Sequence, residues 1–130
     1  MAYLLDTHVL AWHLAGVDRL GPSVSALLRD PDADLRVSIA SIWEIAAKAS
    51  RVSLGLPSPV VPWLHQHLSN VVTLRPIAWQ HIELIETLPR HHGDPFDRML
   101  IAQALVDGLT LVTADRQIQQ YPVPVLDAGS

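Results

Sequence analysis

Apolar residues along the 130-residue chain fall into short unbroken runs and longer periodic stretches, separated by Gly, Pro and Asp. Ala2–Leu5 is a short apolar run closed by Asp6 and reads as a buried strand. Thr7–Ala15 reads as a helix stopped by Gly16, and Pro22–Arg29 as a second helix with proline at its first position. Leu35–Ser38 is a short strand. Ile39–Val52 is amphipathic: Ile39, Ile42, Trp43, Ala46 and Ala49 share one face at helical spacing, and Ser41, Glu44 and Lys48 share the opposite one. Leu56–Pro62 is a proline-rich connection, Trp63–Ser69 a helix, Val71–Leu74 a strand and Trp79–Thr87 a helix. After a loop at Pro89–Gly93, Asp94 caps a helix that opens on Pro95 and continues through Phe96–Asp107, ended by Gly108. That helix is apolar almost all round beyond its first turn and must be buried. Leu109–Thr113 and Val123–Leu126 complete the strands. Strands alternating with helices predict an α/β fold with a mostly parallel sheet.

The length corresponds to one domain, 1–130, large enough to bury roughly two-thirds of its unfolded surface. The absence of cysteine excludes disulfides and thiolate zinc sites, and the apolar N-terminus lacks a basic lead and is interrupted by Asp6 and His8. These features predict a cytoplasmic protein. A formal charge of -4 excludes a passive nucleic-acid coat, which would be basic, but not an enzyme that meets phosphate with bound cations. No GxGxxG, Walker A, GxSxG or HExxH pattern occurs. The four tryptophans are many beside one phenylalanine; Trp63, among His65, Gln66 and Ser69, is the one expected to face a partner.

The acidic residues carry the chemistry. Asp6 and Asp115 stand just past the carboxyl ends of apolar strands, where open parallel sheets bind ligands. Asp97 lies in the first turn of the buried helix, and Glu44 one turn into the helix after the Leu35–Ser38 strand. Topology puts all four on one rim. Each also has an ordinary structural use: Asp6 as a helix cap, Glu44 as the i,i+4 partner of Lys48, Asp97 in a capping box, Asp115 in a turn. Gathered together, they would repel one another unless a hard cation sat among them. Mg2+ and Mn2+ favour such oxygen sites and serve phosphodiester hydrolysis. Asp94 is read as a cap rather than a ligand. His91 and His92 lie beside the acidic loop, within reach of a substrate.

Leu4-Leu5-Asp6-Thr7-His8, the segment Ser41 to Lys48, the segment Asp94 to Ala104 and the segment Gly108 to Asp115 occur in this order. Together they resemble PIN-domain proteins of the VapC toxin type, over essentially residues 3–126. The resemblance implies a three-layer α/β/α sandwich, an acidic cleft for Mg2+ or Mn2+, endoribonuclease activity, a cognate antitoxin and a homodimer. It aligns Asp6, Glu44, Asp97 and Asp115 with the family's acidic positions, Asp97 fitting the third better than Asp94. The position before the fourth acid, often basic in similar proteins, is Ala114 here, which leaves Lys48, Arg98 and Arg116 as the expected phosphate contacts. A PIN nuclease of RNA processing or quality control is the alternative. A phosphoacceptor domain fits poorly, because the paired Asp after the first strand and the Lys after the last are missing.

Overall fold

A computed structural model describes all 130 residues. The chain forms β1 (Ala2–Leu5), α1 (Thr7–Ala15), α2 (Pro22–Arg29), β2 (Asp34–Ser38), α3 (Ile39–Ala49), α4 (Val60–Leu68), β3 (Thr73–Arg75), α5 (Trp79–Thr87), α6 (Pro95–Asp107), β4 (Thr110–Thr113) and β5 (Val125–Asp127). The strands lie in the order β3-β2-β1-β4-β5, and every neighbouring pair is parallel. The chain thus builds outward from β1 to β3, then returns to place β4 on the other side of β1. The crevice between β1 and β4, where the winding direction reverses, is the place such sheets bind ligands.

Two cores flank the sheet, and the alternation of strand side chains explains them. Leu5 and Val112 face a cluster built with Val9, Leu10, Val24, Leu28, Ile45 and Leu64 from α1 to α4. Leu4 and Leu111 face the opposite way, onto Leu100, Ile101 and Ala104 of α6 and Leu88 after α5. The result is the three-layer α/β/α sandwich. Gly16 and Gly108 end α1 and α6 in the left-handed conformation, with φ of 70° and 68°. No helix is long and apolar enough to cross a membrane.

Boundaries shift at the surface. The α3 helix stops at Ala49 rather than Val52, and α4 starts at Val60, three residues before Trp63. Pro62 is tolerated there because its missing N–H falls in the first turn, where no intrahelical partner exists. The short strands β3 and β5 each run later than the apolar runs that announced them.

The orientation of α3 turns Glu44 toward the rim. Ala40, Ser41, Glu44 and Ile45 are buried, while Ile39 and Trp43 are 44% and 62% exposed. Ile42 still packs against the first core, so the apolar stripe is only partly outward, and the face toward the rim of acids takes Ser41 and Glu44. The tryptophans differ in exposure. Trp63 is half-buried, packs against the first core and lies 4.4 Å from the His67 ring, whereas Trp79 and Trp43 are the open ones.

Candidate metal centre

Asp6 follows β1 and caps α1. Its Oδ1 accepts the His8 N–H at 3.4 Å, and its Oδ2 accepts the Thr113 hydroxyl at 2.6 Å. The cap and the site are therefore one residue, with one oxygen for each. Thr113, the last residue of β4, also accepts the Asp115 N–H at 3.0 Å, so a single buried hydroxyl ties the two strand-end acids together across the β1–β4 crevice.

Glu44 comes in from α3 and is 2% exposed. Its Oε2 meets Lys48 Nζ at 2.8 Å, but its Oε1 is buried with no hydrogen-bond partner. One turn earlier, Ser41 Oγ accepts the Thr7 hydroxyl at 2.9 Å in a buried pair that fixes α3 against the start of α1. Asp97 enters from the first turn of α6 and is 7% exposed. One ring nitrogen of His92 and one oxygen each of Asp97 and Asp115 lie within 4.8 Å of one another.

Electrostatics register the crowding. Burial, then the charges of Asp6, Asp94, Glu44 and Asp115, push the Asp97 carboxyl up to about 8. Burial also raises Asp6, with Glu44 adding to it, against the stabilising Thr113 hydroxyl and the neighbouring His8. In the absence of an ion, the site relieves its charge with a proton on Asp97 and with Lys48 on Glu44. The donor set is all oxygen apart from His92, and Glu44 Oε1 leaves an acceptor without a donor. A hard divalent cation satisfies both features.

The PIN domain family matches residues 3–124. This chain belongs to the PIN domain family. Within it, the chain is 35% identical over 127 residues to Ribonuclease VapC22 of Mycobacterium tuberculosis, covering 94% of this chain and 95% of that one. Its fold is similar to that of VapBC2 from Rickettsia felis bound to a promoter DNA fragment, with a TM-score of 0.73 at 12% identity and 98% of each chain covered. A DNA-bound VapBC from Salmonella typhimurium gives a TM-score of 0.73 at 14% identity, again with 98% of each chain covered.

The expected basic residues of this PIN domain divide. Lys48 stands at the site, engaged by Glu44, and Arg116 is exposed directly after Asp115. Arg98 is a correction. It is 5% exposed, and its guanidinium donates to the carbonyls of Pro89, Ile85 and Leu88 and to the Tyr121 hydroxyl. It locks the end of α5 and the following loop onto α6, so its Nη groups are buried and already engaged by neutral oxygens. Asp94 is exposed, and its Oδ1 accepts the N–H of Phe96 at 2.9 Å and of Asp97 at 3.1 Å, as a cap does. Thr113, the Thr7–Ser41 pair and Tyr121 gave no sequence signal of their own. Thr113 was foreshadowed only by its place at a strand end next to Asp115.

Proposed function

We propose that this PIN domain is a divalent-metal-dependent endoribonuclease and the toxin of a toxin–antitoxin pair. The observation that carries the reading is the crowding of acids at the rim: a raised Asp97 beside Asp6, Glu44 and Asp115, with Glu44 Oε1 left without a donor. The ribonuclease name of the Mycobacterium tuberculosis relative supports the activity. Asp6, Glu44, Asp97 and Asp115 would hold Mg2+ or Mn2+. When bound, such an ion activates water and offsets charge on the scissile phosphodiester. Thr113 keeps Asp6 turned toward the crevice, and the Thr7–Ser41 contact sets the depth of Glu44. Lys48 exchanges Glu44 for a phosphate oxygen, and Arg116 approaches the strand from the open side.

A toxin–antitoxin complex from Klebsiella pneumoniae, similar in fold with a TM-score of 0.67 at 16% identity, supports a cognate antitoxin as partner. The exposed Ile39, Trp43, Trp79 and Ile82 give apolar surface for an antitoxin or for a homodimer. A small open reading frame directly beside the gene would separate the toxin from an RNA-processing PIN nuclease.

The test is cleavage of RNA by purified protein with Mg2+ or Mn2+, together with mapping of cut sites in cells after brief expression. Asp6→Asn and Asp97→Asn each abolish cutting while the fold persists. Full activity of either variant would overturn the assignment.

A further inference from the structure

Tyr121 connects the buried Arg98 to the metal centre. Three N–H groups approach the Tyr121 hydroxyl oxygen: Arg98 Nη1 at 3.1 Å, His91 N at 3.2 Å and His92 N at 3.3 Å. A hydroxyl oxygen offers two acceptor sites, and the three donors occupy both, the adjacent His91 and His92 N–H groups sharing one. Its own hydrogen must then go to the one remaining neighbour, His92 Nδ1 at 3.3 Å. The network therefore assigns Nδ1 as the acceptor and leaves the ring hydrogen on Nε2. Nε2 carries a hydrogen in the doubly protonated ring as well, whereas Nδ1 accepts from Tyr121 only while the ring is neutral.

Nε2 is the end that faces the acids. The His92 side chain is 7% exposed, Nε2 has no hydrogen-bond partner, and Asp97 Oδ2 stands 3.6 Å away, beyond hydrogen-bond reach. With its hydrogen on Nε2, His92 stands beside Asp97 and Asp115 as a donor rather than as a ligand. It is a buried N–H donor without an acceptor, at the edge of the place where a phosphodiester must lie.

We propose that His92 binds the RNA itself, donating its Nε2–H to a non-bridging oxygen of the phosphate held at the acidic rim, with Tyr121 and Arg98 as the positioning residues that fix the ring and its tautomer. This rests on the nuclease reading above and adds a substrate contact to it. Arg98 thus serves the phosphate at one remove: its charge polarises the Tyr121 hydroxyl, which holds the imidazole.

Three measurements on the full chain test this. Imidazole nitrogen NMR of metal-free protein should show His92 protonated on Nε2 and bare on Nδ1, and Tyr121→Phe should erase that preference. With Mn2+ alone as the probe, electron spin-echo spectroscopy should detect no directly bound nitrogen, and Mn2+ affinity should be the same in His92→Gln and His92→Ala. Affinity for a short mixed-sequence single-stranded RNA, measured with Ca2+ in place of Mg2+, should fall about tenfold to a hundredfold in His92→Ala. It should be restored in large part by His92→Gln, whose amide can donate from the same place. A nitrogen coordinated to Mn2+, or His92→Ala with wild-type RNA affinity, would overturn the proposal. Wild-type protein that binds RNA but never cuts it would instead sink the nuclease reading, while the tautomer and binding measurements still decide the role of His92.

Discussion

Asp97 holds the electrostatic strain of this PIN domain, and that strain has a pH signature. Its carboxyl titrates near 3.8 when solvated and about 8 when folded, so between these values the native state keeps a proton that the unfolded chain releases. Stability contributed by this group is fully present below the lower value and is lost as pH rises through the upper one. Metal-free protein should therefore weaken toward urea across that window. Asp97→Asn should flatten the slope and be the more stable protein above pH about 8, by on the order of 1–3 kcal/mol, less than the whole shift at about 1.4 kcal/mol per unit because the crevice admits water. Equilibrium urea melts of both proteins across the range check this; a parent whose slope matches the variant's would contradict it. The four acids were legible in the sequence because each sits at a position that the strand and helix pattern places on the rim. The fate of Arg98 was not. A guanidinium beside an acidic motif looks the same in the chain whether it reaches out to phosphate or folds back onto three carbonyls, and only the path of the Ile85–Pro89 backbone decides between them.

The helix α6 shows how an element can deliver an acid to the rim. Asp94 satisfies two N–H groups of the first turn, one of them that of Asp97 itself, so the cap fixes the backbone from which the third acid projects. Asp94→Ser preserves the cap and should retain most nuclease activity. Asp94→Ala should lose about 1 kcal/mol of stability, read from the shift of the denaturation midpoint. If Asp94→Ser were as inactive as Asp97→Asn, Asp94 would be part of the metal centre and not only its support. The capping pattern Asp94-Pro95 and the stops at Gly16 and Gly108 were readable because each has a local chemical cause. Which apolar residues of α3 stay outside was not, because Ile39, Ile42 and Trp43 look alike in the chain. Here Ser41 and Glu44 turn inward toward Thr7 and the other acids, and the indole of Trp43 is left outside, edge-on to Phe96 at 4.8 Å.

At the scale of the molecule, an acidic chain with few cations at its site should bind RNA through local contacts rather than a broad field. With Lys48 and Arg116 as the cations available to phosphate, the logarithm of affinity for single-stranded RNA should fall with the logarithm of salt at a slope of about -1.4 or shallower. Unstacked bases should be cut in preference to perfect duplex. Titrations at several salt concentrations check the first expectation and cleavage of a hairpin the second; a steep slope or efficient cutting within the stem would contradict them. The layered architecture was legible from the alternation of strands and helices, while the sheet order was not, because no local pattern says that β4 returns to the far side of β1. That return also sets a timetable. The chain is made from its N-terminus, so Asp6 is synthesised early and waits for Thr113 and Asp115, which come more than a hundred residues later. Until β4 has left the ribosome and slotted in beside β1, Asp6 has no Thr113 hydroxyl to orient it and no second acid across the crevice. A nuclease assembled in this order should stay inert until β4 docks, and a truncated product ending before β4 should leave the messenger that encodes it uncut.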